Sequence, residues 1–224
     1  IPNEEMIVTI TRENYIKRVP SSSYRVQNRG GKGIVGMTTK EEDEIVRMLY
    51  TKNHNKLLFF TNFGRVFELP VHEIVQASRQ AKGQAIVNLL ELRPDEKVTA
   101  TLDVSEAKDS FLFFATERGV VKKTPLKDFQ NIRRTGIIAI GLRDGDSLLT
   151  VKQSTGNNNV MIFTRDGQSI RFKEEDVRSM GRSAAGVRGI RLKGEDVVNK
   201  MDIVGEDHAA VYLITANGLG KKTP

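Results

Sequence analysis

The chain has 224 residues, a formal net charge of +7 and an isoelectric point near 9.6, so its electrostatics favour a polyanionic partner, either nucleic acid or an acidic membrane face. At 38% hydrophobic residues it can bury a real core, as one large all-β domain or two smaller ones. Zero Cys excludes disulfides and thiolate metal sites, His54, His72 and His208 have no ligand spacing, and no apolar run approaches the roughly 18 residues of a membrane span. The N-terminus lacks the basic-then-apolar layout of a secretory signal, and the whole reads as a soluble cytoplasmic protein with no membrane partner.

In chain order, a β-rich run over 7–11 ends in Thr11, Asn14 suits a left-handed hairpin turn, and Pro20 closes the second strand where a ladder donor is no longer needed. A basic, glycine-dense segment follows. From Asn14 to Lys40 there are six basic residues (Lys17, Arg18, Arg25, Arg29, Lys32 and Lys40) and no Asp or Glu. Within it, residues 27–33 read Gln-Asn-Arg-Gly-Gly-Lys-Gly. Gly30, Gly31 and Gly33 let bare backbone approach a ligand, while Arg29 and Lys32 place positive charge beside it, a combination suited to a phosphodiester backbone. The spacing is not that of a nucleotide-binding loop. Apolar residues 34–37 predict a strand, and 44–50, behind a cluster of acids, predict another.

The same order recurs three more times and begins a fifth. Runs over 57–61, 111–116, 160–164 and 211–215 end in Thr61, Thr116, Thr164 and Thr215, at Thr-to-Thr spacings of 50, 55, 48 and 51. Gly64, Gly119, Gly167 and Gly218 hold the turn position and are expected at φ > 0. Pro70, Pro125 and Pro224 close second strands, with Lys173 the exception. Stretches 71–77 and 173–180 predict a turn or single helical turn. Second glycines (Gly33, Gly83, Gly136, Gly186) then precede strands over 34–37, 85–90, 137–142 and 187–192, and final strands follow acids over 96–102, 146–151 and 196–203. Four strands per repeat cannot bury both faces alone, so neighbours must stack, and a radial array of four-stranded blades is expected. The blades run over 6–56, 57–110, 111–159 and 160–209, with a partial fifth over 210–224, in a single domain 1–224. The stop at Pro224 reads as a truncation.

Charge follows the repeat. Between turn residue and second glycine (14–33, 64–83, 119–136, 167–186) there are 17 Lys plus Arg against 6 Asp plus Glu; the intervening parts (34–63, 84–118, 137–166, 187–217) hold 15 against 19. Equivalent segments occupy equivalent places on a wheel, so a basic stripe round one edge is expected, the footprint of a nucleic-acid binder. Its candidate contacts are Lys17, Arg18, Arg25, Gln27, Arg29, Gly30, Gly31, Lys32 and Gly33 in the first copy, and Arg65, Arg79 and Lys82 in the second. Lys122, Lys123, Arg133 and Arg134 follow in the third, Arg171 and Arg182 in the fourth, and Lys221 and Lys222 in the partial fifth.

Residues 27–33 resemble the seven-residue box that marks the C-terminal domain of the DNA gyrase A subunit, usually Gln-Arg-Arg-Gly-Gly-Lys/Arg-Gly. Asn28 stands where that box has a second basic residue, and Gly30, Gly31, Lys32 and Gly33 match. The Thr-x-x-Gly hairpins, with Tyr15-Ile-Lys-Arg18 and Gly119-Val-Val-Lys-Lys123, resemble its blades over the whole chain. The resemblance implies an all-β, propeller-like β-pinwheel whose blades exchange strands and whose basic rim wraps double-stranded DNA. It also implies a bacterial, nucleoid-associated parent enzyme that introduces negative supercoils as an A2B2 assembly. In that assembly the partners are the gyrase A breakage-reunion domain and gyrase B; ATP and Mg2+ act in other domains, and this chain has no cofactor or metal. The related topoisomerase IV subunit carries similar blades with a missing or degraded box. A propeller used as a protein-interaction platform is the alternative from another class.

Type IIA topoisomerases cleave DNA with a tyrosine. Tyr15, Tyr50 and Tyr212 alternate with apolar residues in predicted strands, Tyr24 lies in the basic segment, and no constellation supports general acid or base work. The isolated chain is expected to be non-enzymatic, and acids such as Asp95 and Glu96, which recur before a strand, to be structural or solvated rather than to bind a divalent cation.

Overall fold

The computed structural model describes residues 1–24, 43–105, 109–205, 210–214 and 220–223. Arg25, the box at 27–33, the strand expected over 34–37 and the turn at Gly218 lie outside the described residues.

Each repeat begins with an antiparallel hairpin. In the first, β1 (Glu5–Thr11) pairs with β2 (Tyr15–Pro20), the Asn14 N–H donates to the Thr11 carbonyl at 3.0 Å, and β3 (Ile45–Lys52) returns on the far side of β1. The second repeat supplies β4 (Lys56–Thr61), β5 (Arg65–Pro70), a two-residue β6 (Gln84–Ala85) and β7 (Val98–Asp103). The third supplies β8 (Phe111–Thr116), β9 (Val120–Pro125), β10 (Ile137–Ile138) and β11 (Leu148–Ser154). In the fourth, β12 (Asn159–Thr164) and β13 (Ser169–Lys173) precede β14 (Val187–Arg188) and β15 (Val198–Val204), and β16 (Val211–Ile214) and β17 (Gly220–Thr223) form a further hairpin.

The short strands leave home. β6 pairs with β2, β10 with β5 and β14 with β9, so three sheets borrow their outer strand from the following repeat, in the orders β3-β1-β2-β6, β10-β5-β4-β7 and β11-β8-β9-β14. Four strands per blade are reached by exchange, as the resemblance implied. The fourth sheet has three strands among the described residues, β13-β12-β15. The strand expected over 85–90 shrinks to two residues because a 3-10 turn at Ile86–Asn88 redirects the chain and drives Ile86 and Leu90 into the core. Similar 3-10 turns at Val71–Glu73 and Glu174–Asp176 fill the single-turn stretches.

Residues Leu57 to Phe60 in β4, and β8 (FLFFAT), are apolar on both sides of the pleat, as strands buried on both faces are. Leu57 and Phe59 enter a core shared with β1, while Leu58 and Phe60 enter one shared with β8. Leu112 and Phe114 share that second core, and Phe113 and Ala115 face a third with β12. The cores therefore lie between blades. Phe60, Phe114 and Phe129 meet in the middle one, ring centroids 5.6 to 6.1 Å apart. The last strands β3, β7, β11 and β15 contact one another in succession, which makes them the inner strands and leaves the hairpins' second strands and their borrowed partners outside.

Gly64, Gly119 and Gly167 have φ of 72°, 81° and 84°, and Asn14, the expected substitute, has 59°. At Gly186 a second constraint applies: a Cβ would lie 2.4 Å from the Val121 carbonyl oxygen, where β14 closes on β9, whereas around Gly167 nothing lies within 4 Å. Gly186→Ala should lower the unfolding free energy by about 3 kcal/mol, from left-handed strain plus a backbone clash, and Gly167→Ala by about 1 kcal/mol from strain alone. Urea denaturation measures both; equal losses would show that the close approach carries no energy.

Candidate nucleic-acid interface

The recurring Thr residues are occupied by the turns they frame. Oγ1 of Thr11, Thr116 and Thr164 accepts the N–H of Tyr15, Val120 and Gln168 at 3.0 to 3.1 Å, and Thr61 Oγ1 donates to Glu96 at 2.7 Å. The acid before each last strand clamps the same turn from the other side. Asp43, Asp146 and Asp196 each accept a hairpin N–H at 3.0 Å, from Glu13, Arg118 and Asp166. Glu96, fully buried at its side chain, takes the Arg93 N–H at 2.8 Å and the Arg65 guanidinium at 2.7 Å. These acids serve the fold, as expected.

Four cations expected on the rim are inside it. Lys17 and Lys122 are 0% exposed, and Arg18 and Lys123 are 7% exposed. Lys17 Nζ donates to the carbonyls of Ser78 (3.1 Å), Arg79 and Ala81 (2.9 Å). Lys122 Nζ donates to Ala139, Arg182 (2.6 Å) and Gly181 (3.2 Å), and lies 4.8 Å from the Phe114 ring centroid. Arg18 donates to the Ile74 carbonyl and to Asn53 and Gln76, and Lys123 to the Glu174 carbonyl. The physical reason is coverage. β2 and β9 carry the next repeat's loop on their outward side, bridging Arg18 to Gln76 and Lys123 to Ser179, so a side chain aimed away from the core still has protein over it. All four side chains are therefore buried in this fold rather than exposed on the rim.

Arg65 is half-committed. It pairs with Glu96, donates to the Thr135 carbonyl and lies 4.7 Å from the Phe67 ring. Lys82 Nζ sits 3.5 Å over the Tyr15 ring and the Arg79 guanidinium 5.9 Å from that of Tyr24, both half-buried. The exposed candidates are Arg133, Arg134, Arg171, Lys221 and Lys222; Arg182 is half-buried and donates to the Ile138 carbonyl at 3.1 Å.

What the structure brings together is a pair of open grooves between blades. One is lined by Phe63, Arg65 and Arg93 of the second repeat, the loop from Thr135 to Leu142 of the third, and Arg182 of the fourth. The other joins the hairpin turn at Arg118 to Arg188 in β14 and to Arg191 beyond it. Asp128 lines the first, and Glu195 and the turn-bound Asp196 the second. Arg93, Arg118, Arg188 and Arg191 are exposed and were absent from the sequence-derived set. A sequence signal exists for Arg93 alone: a basic residue stands three positions before each recurring acid, at Lys40, Arg93, Arg143 and Lys193, whereas Arg118, Arg188 and Arg191 carry no such mark.

Burial pulls the Lys17 amine and the Arg18 guanidinium below their ordinary ranges. For Lys122, burial, with Arg182 nearby pushing the same way and Asp128 opposing, brings the amine from 10.5 down to about 7. Between those values the folded chain binds fewer protons at this site than the unfolded chain, so stability rises with pH across that window and is flat below it. Deprotonation forfeits one N–H bond, and the longest is that to Gly181. Relative to Lys122→Met, the parent chain should therefore gain stability from pH 7 to about pH 10. Paired unfolding curves at each pH test this, and a constant gap would contradict it.

The family model described as "DNA gyrase C-terminal domain, beta-propeller" matches residues 5–52, 55–105, 110–154 and 158–204, one match per hairpin repeat. The DNA gyrase A subunit of Staphylococcus aureus is 44% identical over 227 residues, covering 100% of this chain and 26% of that protein. The chain thus spans about a quarter of the length of the curated relatives it matches. Among solved structures, the C-terminal domain of DNA topoisomerase IV superposes with a TM-score of 0.81 at 29% identity, covering 99% of this chain and 68% of that one. The DNA gyrase A C-terminal domain gives 0.76 at 27%, covering 98% and 71%. With exchanged strands, clamped turns and a family match on all four repeats, the chain belongs to the family of DNA gyrase C-terminal domains.

Proposed function

We propose that this chain is the DNA-wrapping module of a bacterial DNA gyrase A subunit, bending duplex DNA around its outer edge so that the parent enzyme introduces negative supercoils. The observation that carries the reading is the gathering of cations from different repeats in the grooves between blades, with Arg65 and Arg93 of the second repeat beside Arg182 of the fourth in one, and Arg118 of the third beside Arg188 and Arg191 of the fourth in the other. Magnitude decides how they must act. Bending about 40 base pairs through half a turn costs on the order of 10 kcal/mol, more than one basic patch supplies, so contacts have to be distributed over several blades. The box at 27–33 is assigned the terminal clamp, Arg29 and Lys32 with the amides of Gly30, Gly31 and Gly33 gripping phosphates where elastic recoil peels the duplex away.

The chain itself is read as non-catalytic. Cleavage, ATP and Mg2+ belong to the breakage-reunion domain and gyrase B in an A2B2 assembly in the bacterial cytoplasm. The higher superposition score of the topoisomerase IV domain favours a second reading as that enzyme's A-subunit domain; the box separates the two.

Ligation of a relaxed plasmid in the presence of the purified chain should leave a linking-number change. Affinity for duplex DNA should fall with salt at a slope of about −0.9 per phosphate contact, and a slope shallower than about −2 would favour a protein-interaction platform instead. Alanines at 27–33 should abolish the linking-number change while lowering affinity for short linear duplex only modestly. Parental wrapping by that variant would remove the clamp role.

A further inference from the structure

The buried lysines repeat with the fold. Lys17 and Lys122 each stand six residues after the hairpin Thr, and each amine reaches backbone carbonyls of the next repeat. Their targets are equivalent too. Ser78 and Arg79 lie 17 and 18 residues after Thr61, and Gly181 and Arg182 lie 17 and 18 after Thr164. The amine of one blade thus holds, from beneath, the carbonyls of the residues that begin the cation-bearing loop of the blade after it. Above those carbonyls the Arg79 guanidinium lies against Tyr24 and the Arg182 guanidinium donates to Ile138.

The second and fourth repeats lack the lysine, with Phe67 and Ile170 at that position, and the second shows what replaces it. Phe67 stands where Lys17 and Lys122 do, and the loop it faces is two residues shorter, with 20 residues from Thr116 to Gly136 against 22 from Thr61 to Gly83 and from Thr164 to Gly186. There the ring fills the space, with the Gly136 Cβ position 2.8 Å from Phe67 Cε1, and Arg65 takes over the loop carbonyl at Thr135. Lysine and the long loop go together, and so do phenylalanine and the short one.

We propose that Lys17 and Lys122 are positioning residues for DNA wrapping: each ammonium fixes the height and direction of the next blade's basic loop, so that cations on successive blades lie on one path. The inference rests on the DNA-wrapping reading above. Directional N–H bonds to the loop's backbone oxygens, three from Lys17 and two from Lys122, whose third goes to Ala139 of its own repeat, set the loop more tightly than an apolar contact, because each displaced carbonyl would lose its partner. The lysines act on geometry, from beneath the loops that carry the contacting cations.

The absence of Cys from the chain allows a direct test. Lys17→Met, Lys122→Met and the double variant remove the amine. Lys17→Cys, alkylated with 2-bromoethylamine in denaturant and refolded, restores it on a side chain of the same length. Amide exchange over 78–82 and 181–184 reads loop order without DNA. Affinity for a duplex of about 20 base pairs reads contacts with little bending, and plasmid linking number reads the wrap. Expected are faster exchange in the loop facing each missing amine, short-duplex affinity within about threefold of the parent, and a linking-number change reduced by about half or more in the double variant, with aminoethylation of the Lys17→Cys variant restoring slow exchange. Unchanged exchange in the Met variants, or full wrapping by a double variant, overturns the proposal. So does failure of the refolded aminoethyl chain to recover protection. Should the double variant not fold, the single variants and the Lys17→Cys chain before and after alkylation still decide the matter. A parent chain that leaves the linking number unchanged would instead sink the wrapping reading, and the exchange results would then show separately whether the amines hold the loops.

Discussion

The structure depends on one edge. The second strand of each hairpin presents an unpaired ladder, and two residues of the following repeat close it, β6 on β2, β10 on β5 and β14 on β9. A pair of residues contributes few hydrogen bonds, each about 1 kcal/mol net, so exchange is not held by the borrowed ladder. The cores between blades hold it. Among the described residues the first contains thirteen buried apolar side chains, Met6 to Val98, at about 1.5–3 kcal/mol each before conformational entropy is charged. What the borrowed strand adds is register: at Gly83 and Gly186 a Cβ would lie 2.4 Å from the carbonyl oxygens of Ile16 and Val121, so glycine must stand opposite those carbonyls and only one alignment puts it there.

Much of this was legible because hairpin turns impose a requirement on residue type. A left-handed residue three positions after a Thr that accepts the next strand's N–H leaves a Thr-x-x-Gly mark, and its recurrence exposed both the repeat and its length. Exchange left no such mark in the residues themselves. A two-residue pairing has no periodicity, and Ile86 and Leu90 look like strand residues although a 3-10 turn separates them from the ladder. The burial of Lys17 and Lys122 was hidden for a different reason. Lysine in a strand is ordinarily a surface residue, and the carbonyls that make burial tolerable come from a loop about sixty residues away, invisible to local reading. Their apolar flanks, Ile16 and Val19, Val120 and Val121, were the only local warning.

The two populations of cations divide the labour of the charge. Inside, amines are matched by backbone carbonyl dipoles, which leaves the carboxylates free to clamp turns: Asp43, Asp146 and Asp196 take N–H groups, and Glu96 takes both Arg65 and a backbone N–H. Outside, Arg12 with Glu44 and Lys56 with Glu68 close to 2.8 Å, but Arg134 approaches Glu73 only to 3.8 Å, and Lys152 and Lys200 approach Asp202 to 3.7 and 3.8 Å. Exposed pairs of this kind are worth little and leave the net charge unaltered. The excess of cations therefore acts at the surface, as long-range attraction of a polyanion requires.

Attraction alone does not bend a duplex. A rigid rod touches a convex edge at one place, and recoil opposes every further contact, so the gain from each added blade must arrive at a fixed distance and direction from the last. In this fold one groove is lined by three repeats at once, with Arg65 and Arg93 from the second, the loop through Ile138 from the third and Arg182 from the fourth, so its cations come from the second and fourth. Their spacing is set by strand exchange and by buried side chains, and not by surface side chains free to rearrange. Core and contact surface are therefore the same construction seen from two sides, since the loop that covers β9 inside is the loop that carries Arg182 outside.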